Sequence, residues 1–195
     1  LDITLANVMG NIINEKEMDV EYGIIRHEEV VDLMPGNIEL SGIEVSLVNV
    51  MSRETVLRSY IEEQRSRYDY ILIDCMPSLG MITLNALTAA DSVIIPVQAQ
   101  YLPAKGMTQL MQTISKVRKH INPKLKIEGM LLTLVDGRTN LSRTVVDSLQ
   151  RNYGSVIKMY RSTIPVAVKA AESAAEGKSI YAYEPNSTVS KAYAE

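Results

Sequence analysis

The chain has no tryptophan and no phenylalanine, and its aromatic side chains are all tyrosine. Its core must therefore rest on Leu, Ile, Val and Met. A single cysteine, Cys75, excludes an internal disulfide. No His or Asp/Asn is placed by sequence to activate its thiol, so Cys75 reads as a small space-filling residue rather than a nucleophile. No apolar run approaches the ~20 residues of a membrane-spanning helix, and no secretory signal pattern opens the chain. Basic charge is not in excess. Twenty Lys and Arg against 23 Asp and Glu leave a formal net charge of −3, which argues against a globally basic nucleic-acid binder but not against a local basic patch. Internal repeats and low-complexity linkers are also lacking. What remains is ordinary for a soluble globular protein: 195 residues, 46% hydrophobic and 22% charged, suited to one domain with a substantial core.

Hydrophobic spacing alternates between helix and strand along most of the chain. Leu5, Val8, Met9, Ile12 and Ile13 fit a helix over 2–13. Short strands are expected at 24–25 and 30–34, before the turn Pro35-Gly36-Asn37. Residues 38–51 fit either period, and their length favours a helix. Ser52 reads as an N-cap with Glu54 in the first turn, and Val56, Leu57, Tyr60 and Ile61 as the buried stripe of the helix that follows. A helix from Ser78 to Leu87 precedes a strand over 92–97, with Pro96 at its end. Pro103 starts a helix striped by Met107, Leu110, Met111, Ile114 and Val117, whose cations Lys116, Arg118, Lys119 and His120 suit its C-terminus. A strand over 127–135, a helix from Leu141 to Leu149, strands at 156–160 and 164–165, a helix over 166–175 capped by Gly177 and a last helix after 184–187 complete the chain. Such alternation predicts an α/β fold: a doubly wound, mostly parallel sheet with helices on both faces.

One stretch organises the chemistry. Residues 68–80 read Tyr-Asp-Tyr-Ile-Leu-Ile-Asp-Cys-Met-Pro-Ser-Leu-Gly. The apolar run 70–73 reads as a short buried strand of a parallel sheet. Asp74 then stands at the carboxyl end of that strand, where open α/β sheets bind ligands. An apolar strand ending in Asp is the layout of a Walker B segment, whose carboxylate helps hold Mg²⁺ beside a nucleotide phosphate. The competing reading is an Asp that only ends a strand or caps the next helix.

The wider motif is more specific. The run from Asp69 to Gly80, followed by Thr83-Leu84-Asn85-Ala86-Leu87, closely resembles the ParA/Soj partitioning ATPases, relatives of MinD. The resemblance continues through Asp91-Ser92-Val93-Ile94-Ile95-Pro96-Val97-Gln98 and from Leu131 to Leu141. It closes with Ile164-Pro165, Glu172 to Ile180 and Tyr183-Glu184-Pro185, so it covers nearly the whole chain.

The resemblance implies a P-loop NTPase-like fold, ATP and Mg²⁺ as cofactors, and roles for particular residues. Asp74 would orient the water shell of Mg²⁺, and Pro77 would open a switch over 77–80 that reports the γ-phosphate. Thr133, Asp136 and Arg138 would lie near the adenine, with Pro165 and Val166 forming a second part of the base pocket. The plainer alternatives are a turn at Asp136-Gly137, a solvated charge at Arg138 and a strand end at Pro165. The resemblance further implies an ATP-dependent homodimer that binds DNA nonspecifically, a ParB-like centromere-binding partner, and a cytoplasmic, nucleoid-associated, prokaryotic setting without membrane attachment. Candidate DNA contacts are Arg138, Arg143, Arg151 and Lys169, with Lys158 and Arg161; each is equally readable as solvated surface. Lys169 matches a basic position of the family.

The pattern also departs from the family. G-x-x-x-x-G-K-[ST] occurs nowhere, and Gly177-Lys178-Ser179 follows a helix and reads as a C-cap. The expectation is a single ParA-like ATPase domain over 1–195 that lacks its first strand and helix. About 45 residues would precede it, and by itself it would not hydrolyse ATP. Without a central phosphate-loop strand, residues 71–73 should expose unpaired backbone and apolar side chains. Gln100 and Lys105 stand where relatives carry glutamates that help pair subunits, and Met76 precedes Pro77 where Pro is common. Two other readings remain: a nucleotide-free ParA-like scaffold, and a MinD-like membrane-cycling ATPase.

Overall fold

The computed structural model describes residues 2–99 and 104–195, without the side chains of residues 104 and 105. The expected helix start at Pro103, the position Gln100 and the side chain of Lys105 fall outside what is described. The chain divides into two compact units, Leu1–Asp91 with Thr108–Leu125, and Ser92–Met107 with Lys126–Glu195.

The first unit begins with α1 (Leu5–Ile13), where Thr4 and Asn7 form a reciprocal capping box. A short antiparallel hairpin follows, β1 (Ile25–His27) and β2 (Val31–Leu33), with Arg26 opposite Asp32. Next come α2 (Leu40–Ser46), α3 (Val56–Gln64) and α4 (Met81–Ala89). Val8, Met9, Leu47, Val56, Leu57, Tyr60, Ile61, Ala86 and Ala89 form one buried cluster. It is aliphatic apart from Tyr60, as the absence of Phe and Trp requires.

Asn85 is completely buried among these apolar groups. Its side-chain oxygen accepts from the Leu57 N–H at 3.0 Å, while its amide donates to the carbonyls of Arg53 at 2.9 Å and Met81 at 3.0 Å. The first turn of a helix has N–H groups without intrahelical partners. Asn85, from α4, supplies one for α3. This corrects the expectation for Ser52, which takes a left-handed conformation at φ 52° and makes no side-chain cap. A single 3-10 turn, Arg53–Thr55, leads into α3 instead. At the other end of α4, the Asn122 amide donates to the carbonyls of Leu87, Thr88 and Ala90 at 3.1, 3.2 and 2.8 Å.

The run 70–73 forms no ladder among the described residues. Its side chains alternate: Ile71 and Ile73 pack on the buried cluster, while Tyr70 and Leu72 are 88% and 92% exposed. The expectation of a strand buried on both faces is therefore corrected to a segment with strand-like alternation and one covered face. A ladder needs a neighbouring strand and a second covered face needs a second layer. Neither is provided by the described residues, so the expected exposure of 71–73 is met in its backbone and in Leu72.

The second unit is built on the parallel pair β3 (Ser92–Gln98) and β4 (Lys126–Thr133). Parallel strands need a long crossover, and the intervening chain carries α5 (Ala104–His120). Ile95 pairs with Met130 and Val97 with Leu132, and all four are buried. Pro96 is not the strand's last residue. The Ala99 N–H donates to Thr133 O at 3.0 Å, so by alternation the N–H groups at 95 and 97 face β4 and the Pro96 nitrogen faces away, where its missing proton costs nothing. The expected strands at 156–160 and 164–165 shrink to two parallel bridges, Met130 with Met159 and Val135 with Pro165. The helices α6 (Asn140–Tyr153), α7 (Val168–Ala175), α8 (Ile180–Tyr183) and α9 (Thr188–Ala194) follow. Gly177 lies just past α7 at φ 65°, the left-handed position that ends helices and that glycine adopts without a Cβ clash.

Candidate functional site

Asp74 is exposed at the end of the 70–73 segment. It makes no ion pair among the described residues. Cys75 beside it is exposed as a residue, but burial of its sulfur, and then the charge of Asp74, push the thiol above its ordinary value. The thiol is therefore protonated at neutral pH, which suits a space-filling role better than a nucleophilic one.

The loop 74–80 is held from its far side. The Ser78 N–H donates to Met76 O at 2.7 Å, and the Gly80 N–H donates to Ser78 Oγ at 3.2 Å. Thr83 Oγ1 donates to Ser78 O at 2.6 Å. The expected helix start at Ser78 moves to Met81, with Gly80 in extended conformation as N-cap. Gly80 has no side chain to cap with, and the cap comes from α2: the Ile82 N–H donates to Glu44 Oε1 at 3.1 Å. That oxygen sits where a Cβ on Gly80 would lie. Sequence reasoning singled out neither Glu44 nor Asn85. Their partners lie 38 and 28 residues away, and no local signal marks the pairings.

The residues assigned to the base pocket lie in the second unit, apart from Asp74 and Pro77 in chain division. Here the two expected segments do meet. The Val135 N–H donates to Ile164 O at 3.0 Å, and the Val166 N–H donates to Val135 O at 3.2 Å. Thr133 and Asp136 thus flank a residue bonded to both sides of Pro165. Leu134 takes φ 50°, a left-handed conformation that costs a leucine roughly 1–2 kcal/mol; backbone strain of this kind gathers at functional loops. Asp136 and Arg138 pair with each other in two-pronged fashion, at 2.9 and 3.0 Å. The Arg138 guanidinium lowers the Asp136 carboxyl below its ordinary range. Thr139 caps α6 through Ser142, and Arg143 donates to Gly137 O at 3.3 Å. A cleft of about 270 Å³ nearby is lined by Val135, Gly137, Ser142, Arg143, Val146 and Asp147. It does not include Thr133, Asp136, Arg138, Pro165 or Val166 in its walls.

All the basic candidates fall in the second unit as well. Arg143, Asp147 and Arg151 lie four apart on α6 and share a face, so an acid interrupts that row. Lys158 stands 4.9 Å from the centroid of the Tyr160 ring. Lys169 is paired with Glu172 at 2.9 Å.

Magnesium fits what is present. The ion takes hard oxygen ligands and usually keeps several waters, needing only one or two carboxylates beside a nucleotide's phosphates. Asp74 offers one such carboxylate, exposed to water. Among the described residues no cluster of three or more His, Cys, Asp or Glu forms a protein cage for a metal.

A parallel pair joined through a helical crossover, with acidic loops following apolar runs, defines an α/β fold of the P-loop NTPase type. A solved structure supports this directly. The chain is 35% identical to the Mycobacterium smegmatis protein described as cobyrinic acid a,c-diamide synthase with bound ATP analog and magnesium, over 86% of this chain and 66% of that one, with a TM-score of 0.78. The sequence profile of the AAA domain family matches residues 2–127. The sporulation initiation inhibitor protein Soj of Bacillus subtilis is 44% identical over 165 residues, 85% of this chain and 64% of Soj. The chromosome partitioning protein ParA of Myxococcus xanthus is 40% identical over 99% of this chain and 69% of that protein. The chain belongs to the ParA/Soj family of AAA-domain proteins. It spans a little under two thirds of the Bacillus relative's length. Among the described residues no helix is long and apolar enough to cross a membrane.

Proposed function

We propose that the chain serves as the ATPase core of a ParA-type system that partitions chromosomal or plasmid DNA in the cytoplasm of a prokaryote. ATP with Mg²⁺ closes a homodimer, the dimer binds DNA without sequence preference, and a ParB-like centromere-binding partner releases it by stimulating hydrolysis. Residues 1–195 form a single functional domain in this reading, and they do not hydrolyse ATP by themselves, because they carry no Gly-rich loop with its lysine. The observation that carries the reading is Asp74: an exposed carboxylate at the end of an apolar segment, followed by a loop seated on the start of α4. Asp74 holds and orients the water shell of Mg²⁺, and the ion, when bound, neutralises charge on the phosphate oxygens. The loop from Pro77 to Gly80 senses the phosphate through Ser78, whose carbonyl accepts from Thr83 of α4, the helix that Glu44 caps at Ile82. Thr133, Asp136, Arg138, Pro165 and Val166 border the base. The kinship with Soj and ParA, and the ATP analog and magnesium bound to the mycobacterial relative, support the choice of cofactor.

The test uses the whole protein that the gene encodes. Asp74→Ala is expected to lower Mg-dependent ATP turnover by at least about 100-fold, the usual scale for removing a group that stabilises developing charge. Unchanged turnover removes Asp74 from the mechanism. If the unsubstituted protein binds no ATP, the nucleotide-free scaffold is the better reading. Retention on DNA with ATP should weaken steeply with salt, because phosphate contacts release counterions.

A further inference from the structure

Lys169 is the second residue of α7, and its ammonium is already engaged. Its Nζ lies 2.9 Å from Glu172 Oε2, one turn along the helix. The Tyr183 hydroxyl donates to that same oxygen at 3.1 Å. The ammonium also stands 5.6 Å from the centroid of the Tyr183 ring. Tyr183 is the last residue of α8, so one carboxylate oxygen ties two helices together and holds the lysine between acid and ring. Lysine and carboxylate are each about half exposed, at 50% and 42%, so the cluster lies at the surface where a polyanion can reach it. Glu184 near Lys169 and Glu176 near Tyr183 add negative charge around it.

We propose that Glu172 is an internal competitor for phosphate at Lys169: its carboxylate occupies the partner position that a DNA phosphate must take, and Tyr183 holds it there. The inference rests on the reading of Lys169 as a DNA contact. A phosphate approaching Lys169 meets an ammonium whose charge is matched, and it must swing Glu172 aside and break the Tyr183 bond before it can pair. Glu172 thereby sets how tightly and how selectively this position responds to phosphate. It acts through the lysine and touches no DNA itself, so it is a positioning residue. Arg151 differs, because its guanidinium donates to the backbone carbonyl of Asp147 at 3.2 Å and leaves its charge unmatched by that bond.

The experiment measures retention of the gene-encoded, ATP-loaded protein on a random-sequence DNA duplex across a salt series. Four variants are compared with the unsubstituted protein: Lys169→Ala, Glu172→Gln, Glu176→Gln and the double Lys169→Ala/Glu172→Gln. Lys169→Ala should bind more weakly and reduce the slope of log affinity against log salt by about one, the signature of one lost phosphate contact. Glu172→Gln should bind about two- to fivefold more tightly, the span of one solvent-exposed ion pair. That gain should vanish in the double variant, and Glu176→Gln, which removes an equal charge from the end of the same helix, should give a smaller gain. The competitor role is overturned if Glu172→Gln binds like the unsubstituted protein while Lys169→Ala weakens binding. It is equally overturned if the Glu172→Gln gain survives without Lys169, since the effect is then general charge. If Lys169→Ala changes nothing, the DNA contact itself fails and takes the inference with it. Should Glu172→Gln lower the circular-dichroism melting midpoint, Tyr183→Phe serves instead. It removes one of the two bonds to the carboxylate, leaves the ring, and should raise affinity by a smaller factor; no gain overturns the proposal.

Discussion

Two loops follow apolar runs in this chain, and side chains hold them in different ways. Residues 74–80 are braced from outside, by Glu44 on α2 and Thr83 on α4, with Asn85 one turn further locking α4 to the start of α3. Residues 133–139 have side-chain braces of their own, beside the backbone bonds of Thr133 to Ala99 and of Val135 to Ile164 and Val166. Asp136 pairs with Arg138 two residues on, the Asp136 carbonyl accepts from Thr139, and Arg143 reaches back only as far as Gly137. The first loop inherits its shape from helix packing. The second carries its own clamp and also a strained Leu134. Disturbance of a buried helix neighbour should therefore travel to the first loop, while the side-chain clamp of the second should respond to changes within 133–139.

The largest expected effect comes from Asn85→Ala. It removes three hydrogen bonds and leaves the Leu57 N–H without a partner in a buried site. Stranding buried polar groups costs about 1–3 kcal/mol each, so a loss of about 3 kcal/mol is expected. Urea unfolding followed by circular dichroism measures it. A loss no greater than that of any exposed substitution in 133–139 would break the contrast between the two loops.

Gly80→Ala comes next. Its new methyl group would occupy the place of the Glu44 carboxylate and push it off the Ile82 N–H. The backbone at Gly80 is extended, with φ −75°, so an alanine fits there without backbone strain. The expected cost is that of a lost helix cap, about 1 kcal/mol. The companion change Glu44→Ala should cost a similar amount, and the double variant little more than either alone. Full additivity would show that the two residues do not act through one cap.

The same contrast explains what could be read from the sequence. Helices with a clear 3.6-residue stripe were legible, as were β3, β4 and the left-handed Gly177, because each is set by residues close in sequence. The Asp136 turn was legible for the same reason. Ser52 fits a cap by local pattern, yet the partner of the α3 first turn is Asn85, 28 residues from Leu57. The apolarity of residues 70–73 predicts a buried strand, yet Leu72 is exposed and no neighbour among the described residues pairs with them. Apolar composition reports a preference for burial, whereas a ladder depends on which segment lies alongside. The strands expected at 156–160 and 164–165 shrank to single bridges because β-propensity measures fit to a sheet surface rather than an intrinsic backbone state. Asp74 itself was picked out by its position after an apolar run. The residues that support its loop were invisible, since nothing local distinguishes Glu44 from a solvated glutamate on a helix.

The smallest effect sharpens the comparison from the other side. Asp136→Asn breaks the pair with Arg138 while leaving the Thr139 contacts, which go to the backbone carbonyl. The pair is solvent-screened, with the Arg138 side chain 89% exposed, and exposed pairs contribute little at neutral pH. The melting midpoint of Asp136→Asn at pH 7 should lie only slightly below that of the unsubstituted protein. Acid should remove even that contribution. Arg138 holds the Asp136 carboxyl below its ordinary value of 3.8 in the folded chain, so the unfolded chain binds the proton first. Its contribution is present above that ordinary value and is lost as pH falls through the lower, folded one. As the pH falls below that ordinary value, the unsubstituted protein should lose slightly more stability than Asp136→Asn, so that the small difference between their midpoints closes. Arg65 lowers Asp91 in the same way in the first unit, so Asp91→Asn provides the matching control. A clear loss of stability for Asp136→Asn at pH 7 would mean that the 133–139 loop leans on packing as the 74–80 loop does.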